Sequence, residues 1–328
     1  EQGIQSVDSL LRRTSAIINV WDKEIHKDKK VLLDNLPSDF YKLLDMITIA
    51  RSRKHITTCY KNNKIGSFPE KLKPTTYTPS IDTKNELINF KETNNVLECL
   101  NLSVYTPMKY IKSEYKDYYR RKYESISKSG RVLMSNELRE SGTKVLHKFN
   151  LFKRLGSSVF SFSETIRRLI ERINSYISLL EKNSDIVSKD CEDEEDEDIL
   201  NYKYEIKVKH LNKEDYIQDL YYDKKILDKL YKDALIVLKS KRDRKLNVLL
   251  AILKDKVSNM PYNEGNKKVL IFTAYSDTAN YLYKEIEGKL LNLGIYTGVV
   301  TGSSSPQTNN ENVDCEFNSI LSAFSPLS

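Results

Sequence analysis

Glycine is scarce in this 328-residue chain, and none of its ten glycines opens a Gly-x-x-x-x-Gly-Lys-Ser/Thr phosphate loop. Gly288-Lys289 falls inside a helical pattern and lacks the rest of such a loop. Cys59, Cys99, Cys191 and Cys315 lie far apart, which excludes a zinc-type pair and implies the free thiols of a reducing cytoplasm. His26, His55, His147 and His210 are equally scattered, so no metal site is expected. No apolar run approaches membrane-spanning length, and the first residues lack the pattern of a signal peptide, so no membrane partner is expected. The first residue is not methionine, which reads as a fragment or a processed product.

Charge is abundant. Hydrophobic residues make up 39% and charged residues 30%, the balance of a soluble chain with a helix-rich surface. The net charge is +7, although Asp190 and Glu192 through Asp198 place eight acidic residues in one run. The remainder is distinctly basic, which favours nucleic acid through counterion release. A lysine-rich solvated exterior explains the same composition. Within the acidic run, Asp193-Glu194-Glu195-Asp196 spells a nucleotidase-type box. Ser188-Lys189-Asp190-Cys191-Glu192 precedes it in place of the buried strand such a box needs, so the run reads as an exposed acidic loop near 184–201.

The most informative stretch runs from Lys267 to Ser305. Val269-Leu270-Ile271-Phe272-Thr273 is an uninterrupted apolar run of strand length, as in a strand buried on both faces. Ser276 or Asp277 can cap a helix whose inner face is Ala279, Leu282, Tyr283, Ile286 and Leu290, with Gly294 in the left-handed position beyond it. Ile295 to Thr301 reads as a second strand, completing a parallel β-α-β unit. Ligands of open α/β sheets sit beyond the carboxyl ends of the strands, so Thr273, Thr301, Gly302 and Ser303 would share one edge. Small hydroxyls and a glycine backbone suit a phosphate there. Ordinary polar loops of a doubly wound domain are the plainer alternative.

Lys268-Val-Leu-Ile-Phe-Thr273, the helix after it, and Gly294-Ile-Tyr-Thr-Gly-Val-Val-Thr-Gly302-Ser-Ser resemble the start of the second RecA-like lobe of superfamily-two helicases, most nearly the Swi/Snf-type translocases. Ala274 stands where that family has glutamine, and Thr301 where it has aspartate. The Pro37-Ser38-Asp39 helix start, the Phe40, Leu43, Leu44 and Ile47 face, the cations Arg51, Arg53 and Lys54, and Phe68 to Pro74 resemble the end of the first lobe. Asp243-Arg-Lys245 before a leucine-rich helix fits the same family. The resemblance implies an α/β fold with a large α-helical insertion and a partial RecA-like parallel β-α-β unit at the C-terminal end. Residues 1–80 would end lobe one, 81–245 would form the insertion, and 246–328 would begin lobe two. It also implies duplex DNA as partner, contacted by Thr273, Thr301, Gly302, Ser303, Arg51, Arg53 and Lys54. ATP and magnesium would belong to the parent protein and none would be bound by this fragment, which alone would be inactive. A non-catalytic helical scaffold and a basic RNA-binding module are the alternatives.

Three further patterns carry expectations. Ile4, Val7, Leu11, Ile18 and Trp21 give an amphipathic opening helix. Tyr115, Tyr119 and Tyr123 recur at four-residue spacing among Arg120-Arg121-Lys122. Such a stripe can stack on bases, but helix packing is its commoner use. The stripe from Phe152 through Ile166, Ile173 and Leu180 suits a helical hairpin or short coiled coil that could take a protein partner, with Arg154, Arg167, Arg168 and Arg172 on a basic face.

Overall fold

Helices account for most of the chain in the computed structural model, which describes residues 6–23, 28–47, 72–123, 125–126, 132–182, 186–188, 205–259 and 265–325. Contacts divide it into two units, Glu1–Thr76 and Tyr77–Ser328, so the stretches 81–245 and 246–328 belong to one unit.

The first unit contains α1 (Val7–Asp22), α2 (Lys29–Asn35) and α3 (Ser38–Ile47), with α1 packed on both others. Ser6 and Asp28 begin α1 and α2 by accepting backbone N–H bonds from Ser9 and Lys30. The opening helix forms as expected, but its inner face is different. Leu10 and Thr14 are buried, whereas Val7, Leu11 and Ile18 are exposed. The two neighbouring helices settle which side is covered, one residue away from the face that hydropathy selects. Residues 72–80 carry no strand, although Thr75 to Thr78 have strand composition.

The second unit is built on α6 (Asn136–Ser157), α7 (Val159–Glu181) and α8 (Lys213–Lys239). Ser158 is extended, and its Oγ accepts from Ser161 N, so the apolar stripe breaks there into two helices. Phe162, Ile166, Ile173 and Leu180 of α7 are buried against Leu220, Leu227 and Val237 of α8 in the main core. Burying each such side chain contributes about 1.5–3 kcal/mol. The apolar side of the stripe is thus covered by the chain's own helices. Around this core lie α4 (Phe90–Glu98), the 3-10 turns Ser103–Tyr105 and Pro107–Tyr110, and α5 (Ser113–Tyr123). Asp223, buried on α8, accepts from the backbone N–H groups of Asn101 and Ser103 and so fixes the left-handed turn at Leu102.

A smaller core joins α9 (Arg244–Ser258) to α10 (Ser276–Leu291) through Leu246, Leu253, Tyr281, Ile286 and Leu290. Tyr281 also stacks on Phe160 of α7 at 5.0 Å. Gly294 adopts φ +72 beyond α10, as the sequence predicts, and α11 (Phe317–Phe324) follows later.

The strands depart from expectation. The described pairs are β1 (Ser125–Ile126) with β2 (Val132–Met134), β3 (Ile186–Ser188) with β4 (Glu205–Lys207), and β5 (Gly298–Val299) with β6 (Gln307–Thr308). All three are antiparallel. Val269 to Thr273 forms no strand, and Phe272 is 87% exposed. A strand buried on both faces needs neighbours on both edges, and this run has no ladder partner among the described residues. The whole acidic run, Asp190 to Asp198, and the continuation of α3 towards Ile56 lie outside the described residues.

Candidate nucleic-acid interface

Thr273, Thr301, Gly302 and Ser303 all lie by the N-terminal half of α10. Thr273 precedes the helix, with its Oγ1 3.5 Å from Ser157 Oγ and accepting from Tyr275 N at 3.5 Å. Both contacts are long, so the hydroxyl is loosely held. In the second loop, Ser304 N donates to Thr301 Oγ1 at 3.0 Å, and the two hydroxyl oxygens are 2.6 Å apart. Asn280 Nδ2, inside α10, lies 3.5 Å from Ser304 Oγ, an equally long contact that sets this loop beside the helix. Thr301 is therefore committed to shaping the turn, while Gly302 and Ser303 are exposed. A Cβ placed on Gly302 would meet nothing within 4 Å, so its backbone is open to a ligand. Arg51, Arg53 and Lys54 lie outside the described residues.

Behind these loops the start of α10 is clamped to the α6–α7 junction. Arg168 Nη2 and Arg154 Nη1 donate to Asp277 Oδ2 at 2.9 and 3.4 Å. The Arg154 guanidinium also lies 4.5 Å from the centre of the Tyr275 ring. Thr278 Oγ1 is 2.8 Å from Ser157 Oγ and 2.9 Å from Ser158 Oγ. Lys245 Nζ donates to Gly156 O and Ser157 O at 2.6 and 2.9 Å, placing a cation on the last carbonyls of α6. Asp243 caps α9 through Leu246 N and accepts from Tyr281 OH at 3.0 Å. Burial pushes the Asp243 carboxyl up and the Lys245 ammonium down, each towards its neutral form.

The expected basic face is largely absorbed by this packing. Arg154 is only 2% exposed, and Arg167 pairs with Glu164 and Glu171. Arg172 reaches the Tyr105 hydroxyl at 3.4 Å. Spacing alone put Arg154 on a solvated face because the tertiary partners, Tyr275 and Asp277, lie over a hundred residues away in sequence. The Gly156-Ser157-Ser158 run was the one local sign of a polar junction.

Tyr115, Tyr119 and Tyr123 serve helix packing. Tyr115 stacks on His210 at 3.8 Å, and Tyr119 is buried with its hydroxyl accepting from Lys207 N. Tyr123 OH bonds both the carbonyl and the N–H of Glu205. Cys99 and Cys315 are free thiols.

No family model, curated protein or solved structure matches the chain. Among the described residues, no helix is long and apolar enough to cross a membrane, and no group of three or more His, Cys, Asp or Glu could hold a metal ion.

Proposed function

We propose that this chain supplies a helical linker and two DNA-facing loops of an ATP-dependent helicase or translocase, with ATP and magnesium handled elsewhere in the parent. The observation that carries this reading is the approach of Asn280 Nδ2 to Ser304 Oγ at 3.5 Å, which sets the 301–304 loop beside the same half of α10 as Thr273. A β-α-β unit places its two strand-end loops in that relation. The exposed Val269–Phe272 run supports the reading too, as an apolar surface suited to further strands of a larger parallel sheet. In this account Thr273, Gly302 and Ser303 contact phosphates, and Thr301 holds its loop in shape.

The test is fluorescence anisotropy of the purified chain with labelled duplex DNA and single-stranded RNA over a range of salt. Duplex affinity is expected to be micromolar or weaker, about that of non-specific binding, and to fall steeply as salt rises. Ser303→Ala removes a donor to a charged group, worth roughly 1.5–3 kcal/mol, so affinity should drop about ten-fold or more. Gly302→Val should weaken it further by blocking backbone approach. Melting temperatures should stay near wild type, because both positions are exposed. Flat salt dependence, or variants that bind DNA normally, would refute the proposal. Tighter binding of the RNA would favour the RNA-binding module instead.

A further inference from the structure

A second site lies away from α10, between the Pro107–Tyr110 turn, α5 and the start of α6. It is a cleft of 610 Å³, a size that suits a small ligand. Lys109, Lys116, Arg120 and Lys144 line it. It shares Lys109, Ile111, Ser113 and Lys116 as lining residues with a neighbouring cleft.

Three carboxylates also face the cleft, Asp117, Glu137 and Glu140. Glu140 is occupied, accepting from Met108 N at 2.9 Å. Of the cations, Lys109 is paired with Asp219 at 2.9 Å. Burial and the nearby charges of Lys148 and Lys109 lower the pKa of Lys144, outweighing the opposing pull of Asp223 and Asp219. The N-terminus of the 22-residue helix α6 opens here, with Ser135 as its cap. Its partial positive charge adds to that of the lysines.

The decisive residue is Asn136, which lines the cleft and begins α6. Asn136 is only 4% exposed, and neither Nδ2 nor Oδ1 has a hydrogen-bond partner among the described residues; both atoms are closed off from solvent, so a ligand meets them only once the amide turns into the cleft. A buried amide without partners is costly, by roughly the desolvation of both groups. A bare phosphate could accept from Nδ2 but would leave Oδ1 in need of a donor. A nucleobase edge or sugar hydroxyl offers the missing partner, as when asparagine reads a base through its donor and acceptor together.

We propose that this cleft binds a nucleoside phosphate, with the phosphate at the α6 N-terminus among Lys116, Arg120 and Lys144 and the base or sugar edge on the Asn136 amide. This departs from the expectation that the chain itself takes no nucleotide, and it stands independently of the DNA-facing loops.

Calorimetric titration of the full chain with AMP, GMP, CMP and UMP, with inorganic phosphate, and with a short single-stranded oligonucleotide tests it. At least one nucleoside monophosphate should bind ten-fold or more tightly than inorganic phosphate. Lys144→Gln should weaken both nucleotide and phosphate. Asn136→Ala should weaken only the nucleotide, by about ten-fold, while leaving the melting temperature unchanged or raised because an unsatisfied amide is removed. Equal affinity for phosphate and every nucleotide would overturn the proposal, as would tighter binding of the oligonucleotide than of any monophosphate. Unaltered nucleotide binding by Asn136→Ala, or a lower melting temperature for that variant, would also overturn it.

Discussion

Asp82 is fully buried, and burial alone would raise its pKa, but the Arg242 guanidinium and the N–H groups of Lys84, Leu87 and Glu86 outweigh that effect and bring it down to about 2. Arg242 meets both carboxylate oxygens, at 2.7 and 2.6 Å. A depressed carboxylate stabilises the fold above its unfolded pKa near 4, and that contribution is lost as pH falls towards 2. The shift corresponds to about 2 kcal/mol. Urea unfolding from pH ~5 down to pH ~2.5 should therefore show the wild type losing about that much more stability than Asp82→Asn. Asp223 and Asp243, both raised by burial, act in the opposite sense, and the comparison with the variant cancels them. Equal acid sensitivity of the two proteins would remove Asp82 from the account. Arg154 makes a second residue-scale case. Arg154→Ala takes away its contact with Asp277 and its packing on Tyr275, so a loss of about 3–5 kcal/mol is expected in the same assay. A loss below about 1 kcal/mol, the level of an exposed ion pair, would return Arg154 to the solvated face that its spacing suggested.

At the scale of elements, local signals were legible and long-range ones were not. The span of α10, the glycine after it and the tyrosine packing follow from periodicity and backbone geometry, which are properties of neighbouring residues. The turn at Ser158 also has a local sign, a serine cap, yet the apolar stripe runs through it without a break in spacing. Strand pairing is different because the partner decides it. Val269–Phe272 has strand composition but no described partner, and Gly298–Val299 pairs with Gln307–Thr308 in an antiparallel ladder that no apolar pattern announces. The same reasoning makes α7 and α8 the mechanical centre of the second unit. Ile173→Ala should cost about 2–5 kcal/mol in chemical denaturation, since a fully packed core leaves a cavity there. A cost near that of an exposed site, within about 0.5 kcal/mol, would show that the α7–α8 interface is not the core.

For the whole molecule, charge and exposed apolar surface point outward to partners. The chain carries +7 even with its acidic run, and it leaves Leu270 and Phe272 open to solvent near the loops proposed to face DNA. The composition favours nucleic acid as the partner class of the proposed function. It could not locate the contacts, because Thr301 turned inward to hold its loop while Gly302 and Ser303 stayed open. Hydrogen–deuterium exchange of the full chain, with and without saturating duplex DNA at low salt, measures those contacts directly. The account predicts slower exchange at Thr273–Tyr275 and Thr301–Ser305, with α5 unchanged. Protection confined to α5 or to the helices of the main core, with both loops exchanging as in the free protein, would contradict it.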